Sequence, residues 1–257
     1  MDWMTMMLNK TVKTVGFGGI ALLALTACSS SNDSGSDVTD VTPMSAFQTL
    51  GVNSATIQNR VSGLPGSAFD AVPASGSANF TGTGVVTMVL SETDDLNFRA
   101  IGDADVTVNF GNGTDANSES ISGGLSNLTA AVGTEAQVNA GSDDSTMLDV
   151  EGEIALSRLN IYTRADDSLS NRFGVSYGGT LTADGTDYVV AGRQEGGEDV
   201  TGGFDGNRFN GTFVRGTEGV RLRSIQIEDQ SDTFATVGEG DTAVTYEGSI
   251  GIYGENR

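Results

Sequence analysis

The residue with the clearest chemistry in this 257-residue chain is Cys28, its only cysteine. It ends the segment Leu25-Thr26-Ala27-Cys28, which closes an apolar run over residues 15–25, and two lysines precede that run. A basic region, a short apolar run and small residues are typical of a cleaved secretory signal, and the terminal cysteine makes it a lipoprotein cleavage box. Cleavage before Cys28 would free a thiol and an amine for palmitate-type acylation, and two or more acyl chains give lasting membrane attachment. The sequence therefore predicts a signal peptide over 1–27 and lipidation at Cys28, against the alternative of an accidental cysteine.

Catalytic chemistry has few residue types to draw on, because the chain contains no histidine. The commonest general base and imidazole metal ligand are therefore missing, and acylation of Cys28 would leave no thiolate. The segment Gly174-Val175-Ser176-Tyr177-Gly178 matches a nucleophile elbow. That motif needs a strand-turn-helix context and a histidine partner, whereas here it lies in an alternating run typical of a strand. We predict no enzyme, no cofactor and no metal.

Carboxylates occur in adjacent pairs, at Asp143-Asp144, Asp166-Asp167, Glu198-Asp199 and Glu228-Asp229. Two carboxylates can hydrolyse a glycosidic bond or bind calcium. Calcium-loop spacing is absent, and pairs in turns are typical of an acidic surface. A carboxylate-dependent hydrolase remains as a remote alternative.

The cations of the predicted mature chain are all arginines, because both lysines lie in the leader. The group Arg215, Arg221 and Arg223 could form a patch that receives an anionic partner. The alternative is that these arginines pair with Glu228, Asp229 or Glu239 across a sheet. The net charge of −21 disfavours nucleic acid and anionic headgroups, so we expect membrane contact through the acyl chains alone.

Two segments precede the main domain. Residues 28–43 are polar, acidic and rich in serine, and they are predicted to be a disordered tether. Ser29, next to the acylated cysteine, is compatible with transport to the outer membrane. Residues 44–76 are predicted to be a leader segment with a short helix over 54–62, which ends before a Gly-Leu-Pro-Gly turn.

Residues 77–257 are predicted to form strands and little else. Phe80, Val86, Met88 and Leu90 alternate with polar and small residues, and Val106 and Val108 repeat this pattern. No proline follows residue 73. The predicted strand stretches cover residues 80–90, 104–110, 119–128, 147–162, 172–182, 188–195, 200–206, 209–215, 220–227 and 243–253. An all-β fold is expected, an antiparallel up-and-down barrel of about eight strands, in which adjacent stretches can form one bent strand.

Glycines support closure of that barrel. Several fall on the predicted inner face, where they would relieve crowding between tilted strands. They are Gly82, Gly84, Gly152, Gly179, Gly206, Gly211 and Gly248.

Three segments resemble one family, the β-barrel domain of transferrin-binding protein B and related single-barrel lipoproteins. Residues 72–82 resemble its opening strand, with proline, then glycine, then aromatic-x-glycine. Residues 104–114 are similar to the strand that ends in an aromatic residue and a glycine turn. Gly203-Phe204-Asp205-Gly206 followed by Gly211-Thr212-Phe213 resembles the hairpin near the end of the barrel.

This resemblance implies an outer-membrane lipoprotein, facing the cell exterior, whose barrel binds a protein or solute in nutrient or iron acquisition. Transferrin binding itself does not carry over, because the chain has room for only one barrel and the contacting loops belong to the missing part. We expect a monomer. The alternative is a periplasm-facing, lipocalin-like barrel that carries a small apolar ligand.

Overall fold

The structure, a computed structural model, describes residues 43–63, 73, 75–111, 120–161, 172–192, 211–215 and 222–256. These residues belong to one compact unit, Val38–Arg257. The predicted signal peptide, Cys28 and most of the tether lie outside the described residues.

Strands dominate the described chain, with two α-helices and one 3-10 turn. The elements are α1 (Pro43–Ser62), β1 (Ser77–Ser91), β2 (Leu96–Asn109), β3 (Ser120–Gly133), α2 (Glu135–Ala140), β4 (Thr146–Ile161), β5 (Arg172–Ala183), β6 (Thr186–Ala191), β7 (Gly211–Arg215), β8 (Leu222–Val237), the 3-10 turn (Gly240–Thr242) and β9 (Val244–Asn256).

The strands form a single antiparallel sheet that closes into a ring of 8 strands. Each strand from β1 to β5 pairs with the next along the chain, β8 pairs with β9, and β9 returns to pair with β1, from Phe80↔Asn256 to Met88↔Gly248. Strands β6 and β7 each pair with both β5 and β8, so together they occupy one position in the ring. The predicted antiparallel up-and-down barrel is confirmed.

The barrel interior holds the main hydrophobic core. Phe80, Val86 and Met88 of β1 are buried there, as the alternation predicted. At one end of the interior, Phe213 packs against Phe173, with ring centroids 4.5 Å apart, and Phe110 lies 5.6 Å away. An eight-stranded barrel is just wide enough for its own side chains, and these aromatic rings occupy that space.

Glycines on the inner face make room for these large side chains. A Cβ at Gly84 would lie 2.2 Å from Leu125 Cδ2, and one at Gly211 would lie 2.1 Å from Phe173 Cε2. In the described strands, the predicted inner glycines lie on the same face as the buried residues two positions away. Gly206 lies outside the described residues. Leu125 and Phe173 can therefore fill the interior only because glycine stands opposite them.

The barrel region also contains one short helix that the sequence analysis did not predict. Residues 135–140 form α2, whose N-terminus carries a capping box between Thr134 and Gln137. Gly141 ends the helix in the left-handed conformation, with φ of 61°. Both are ordinary helix-boundary signals that override the strand pattern locally.

Helix α1 begins at Pro43 rather than at residue 54, and it packs on the outside of the barrel. Its barrel-facing residues, spaced alternately three and four apart, are Phe47, Leu50, Ser54, Ile57 and Val61. That spacing places them along one helix face. Phe47 packs with Ile101 of β2, and Val61 packs with Tyr253 of β9.

Substitution of Gly84 tests whether the interior is filled. Gly84→Ala should lower the free energy of unfolding by about 1–3 kcal/mol, because the new methyl group overlaps Leu125. Gly178→Ala is the matched control, since its Cβ meets only the Val190 carbonyl oxygen at an ordinary 3.5 Å. Urea-unfolding midpoints measure both variants, and equal midpoints would contradict the packing described here.

Candidate functional site

The two ends of the barrel differ in their connections. One end, which we call the turn end, carries the connections 92–95, 134–145, 184–185 and 238–243. All four are described, and the tightest is a two-residue turn, Asp184-Gly185, with positive φ at both positions. This geometry matches the twist of the flanking strands.

The opposite end carries arginines, and we call it the arginine end. It is defined by the strand ends that flank residues 112–119, 162–171 and 216–221. Arg172 begins β5, Arg215 ends β7 and Arg223 is the second residue of β8. The chemistry offered there is that of planar guanidinium groups, which bind carboxylates and phosphates through paired hydrogen bonds.

The structure brings two members of the predicted arginine patch together. Arg215 pairs with Leu222, whereas Val214 pairs with Ser224, so Arg223 is the extra residue of a β-bulge beside Arg215. Arg223 is exposed at this rim. Arg221 lies outside the described residues.

Sequence reasoning missed two further arginines at this end. Arg172 pairs with Thr212, three residues before Arg215 on β7. Arg60, in the last turn of α1, makes a two-point ion pair with Glu255, at 3.0 Å from Nε and 2.7 Å from Nη2. Because adjacent antiparallel strands run in opposite directions, the start of β5 and the end of its partner β7 share a rim. That antiparallel direction is a signal that could have joined Arg172 to Arg215.

Two of the carboxylates suggested as partners for the patch accept hydrogen bonds from tyrosines. Glu228 accepts a hydrogen bond from the Tyr253 hydroxyl, and Asp229 accepts one from the Tyr177 hydroxyl at 3.0 Å. Glu239 lies at the turn end, beyond the far end of β8 from Arg223. Over a dozen residues of strand separate them, roughly 40 Å at 3.3 Å per residue.

These two tyrosines have strongly perturbed acidity. Burial, then the charge of Asp229 and its hydrogen bond, raise the pKa of Tyr177 far above the ordinary 10.0. Burial and the hydrogen bond to Glu228 likewise raise the pKa of Tyr253, although the Gln58 amide, which donates to the same hydroxyl at 2.9 Å, opposes this. Tyr253 thus joins the outer barrel face to α1, and Tyr177 lies on the inner face.

The candidate catalytic motifs do not assemble into a site among the described residues. Glu228 and Asp229 engage tyrosines on opposite faces of β8, as adjacent strand residues do. Asp143 and Asp144 lie exposed in a turn, and the pairs at 166–167 and 198–199 lie outside the described residues. Ser176 lies within β5, which confirms the prediction of a strand there. No group of three metal-ligating side chains occurs in the described ranges.

Arg99 is a buried cation that the sequence did not reveal. It lies on the outer face of β2, where its Nη1 donates to Asn139 Oδ1 of α2. Burial lowers the pKa of its guanidinium. Its Nε has no partner among the described atoms, and burial of this unpaired donor costs desolvation free energy. The hydrogen bond to Asn139 nevertheless attaches α2 to the sheet.

Each of the segments that carry the family resemblance contributes residues to a barrel strand. Residues 77–82 open β1, residues 104–109 close β2 and Gly211-Thr212-Phe213 begins β7. Residues 203–206 lie outside the described residues.

Comparisons of the chain with models of protein families, with curated proteins and with solved structures gave no match. The fold defines the chain as an antiparallel β-barrel protein with an external helix. Neither α1 nor α2, the α-helices of the described part, has the length and apolar character needed to cross a bilayer.

The tyrosine acidities predict alkaline instability. Below pH 10 both tyrosines are protonated in the folded and unfolded states, so their contribution to stability is fully present. Above pH 10 the unfolded chain releases protons that the folded chain retains, so stability falls by up to about 1.4 kcal/mol per pH unit for each tyrosine. Urea unfolding between pH 8 and pH 11 measures how the free energy of unfolding falls with pH. This fall should be shallower for Tyr177→Phe and Tyr253→Phe than for the parent chain. Equal slopes would refute the tyrosines as the origin of the alkaline instability.

Proposed function

We propose that this protein is an outer-membrane lipoprotein, anchored through acyl chains on Cys28, whose barrel faces the cell exterior and binds an anionic partner at its arginine end. The observation that carries the proposal is the grouping of Arg172, Arg215 and Arg223 at one rim of a filled barrel. Arginine at such a rim suits carboxylates or phosphates on a protein or solute.

The packed interior favours an external binding surface over a lipocalin-like cavity. Phe80, Phe110 and Phe173 surround Phe213 within the barrel, and Leu125 occupies the space opposite Gly84. A carrier of small apolar molecules needs an enclosed void instead. A native mass spectrum with a bound small molecule would support the lipocalin-like alternative.

The proposed class is that of the single-barrel relatives of transferrin-binding protein B. Support comes from the three sequence segments, the lipoprotein cleavage box and the closed eight-position barrel. Within this proposal, the protein serves nutrient or iron acquisition by binding rather than by catalysis. The barrel would act as a scaffold that holds its rim at the cell surface.

Replacement of Cys28 tests the anchor. Cys28→Ser should move the protein from the membrane to the soluble fraction, because the residue that carries the acyl chains is lost. Detergent-phase partition and the intact mass of the mature protein measure this, with Ser29→Ala as the control that keeps the anchor. A mature chain without fatty acid would contradict the proposal.

Protease added to intact cells tests whether the barrel faces the exterior. The protease should remove the barrel, and persistence of the full-length protein would argue against exterior exposure.

Charge variants test the arginine patch. In a pull-down with the chain from Ser29 onward, replacement of Arg215, Arg221 and Arg223 by glutamine should weaken capture of the partner by about tenfold or more, that is ~1.4 kcal/mol or more. Replacement by lysine keeps the charge but removes the planar fork, so an intermediate loss is expected. The double variant Glu92→Gln and Glu239→Gln changes charge at the turn end, and it controls for charge changes made away from the arginine end. Equal capture by all variants would exclude the patch.

A further inference from the structure

Helix α1 determines where the chain from the proposed anchor reaches the barrel. Near its start, Gln48 Nε2 donates to the Gly141 carbonyl oxygen at 2.6 Å, and Phe47 packs with Val138 of α2. Both partners belong to the 134–145 connection at the turn end. Near its finish, Arg60 binds Glu255 at the arginine end. The 20 residues of α1 span about 30 Å, so the helix runs from one end of the barrel to the other.

The arginines of the described residues are segregated along the same direction. Every connection at the turn end carries carboxylates and none carries lysine or arginine; the carboxylates are Glu92, Asp94, Asp95, Glu135, Asp143, Asp144, Asp184, Glu239 and Asp241. The described arginines other than the buried Arg99 lie at or near the opposite end; they are Arg60, Arg158, Arg172, Arg215 and Arg223.

We propose that the anchored barrel stands with its acidic turn end toward the membrane and its arginine end directed away from it. This orientation rests on the proposed lipid anchor at Cys28. It assigns the arginine end as the surface that a partner meets first.

The length of the connecting chain supports this orientation. Residues 28 to 43 reach at most roughly 50 Å when fully extended. To bring the arginine end against the membrane, this chain would have to run back along the whole barrel and use about 30 Å of that reach. Such extension costs conformational entropy, a cost that the proposed orientation avoids.

Two single-cysteine reporters test the orientation in the full-length lipoprotein, because acylation makes Cys28 unreactive toward maleimides. Thr93 at the turn end and Ser77 at the arginine end are both exposed and uncharged, which makes Thr93→Cys and Ser77→Cys a matched pair. Each variant is labelled with a donor dye and reconstituted into phosphatidylethanolamine and phosphatidylglycerol vesicles that contain an acceptor-labelled headgroup. Energy transfer should be severalfold stronger from residue 93 than from residue 77.

The outcomes separate the orientation from the anchor. Equal transfer, or stronger transfer from residue 77, in protein that floats with the vesicles would overturn the orientation and leave the anchor standing. Failure of the full-length chain to float, at the level of the Cys28→Ser control, would overturn the anchor and the orientation with it.

Discussion

The pairing of β9 with β1 is the constraint on which the rest of the structure depends. It closes the ring from Phe80↔Asn256 to Met88↔Gly248 and covers two strand edges that would otherwise invite association. Closure also fixes the interior volume, and large side chains such as Leu125 and Phe213 fill it opposite glycines. A barrel filled in this way has its outer face and its two rims left for recognition.

The barrel could be predicted from the sequence because its strands obey a period of two. Phe80, Val86 and Met88 lie on the predicted face, and the inner glycines mark where strands approach closely. Two other features could be read from the sequence, but not from the alternation of apolar and polar residues. The Asp184-Gly185 turn and the Thr134–Gln137 capping box each depend on two residues at a fixed spacing. Local chemistry of this kind determines the ends of elements, which periodicity alone leaves open.

The docking of α1 could not be predicted in the same way. Ser54 interrupts its apolar face, which hides the spacing that joins Phe47 to Val61, and its partners lie far away in the sequence. Gln58 meets Tyr253, and Arg60 meets Glu255, across 195 residues of separation. The burial of Arg99 beneath α2 is hidden for the same reason, because the polar residue that faces it, Asn139, belongs to a helix that strand periodicity does not reveal.

An excess of negative charge is compatible with the proposed recruitment of anions at the arginine rim, because electrostatic forces in salt are short-ranged. The Debye length is about 8 Å at physiological ionic strength, whereas the ends of the barrel lie about 30 Å apart. A partner at the arginine end therefore responds to the guanidinium groups within its reach, and the carboxylates of the turn end are screened from it. The net charge of −21 disfavours anion binding over the body of the protein, and under the proposal the position of the arginines decides where an anion binds.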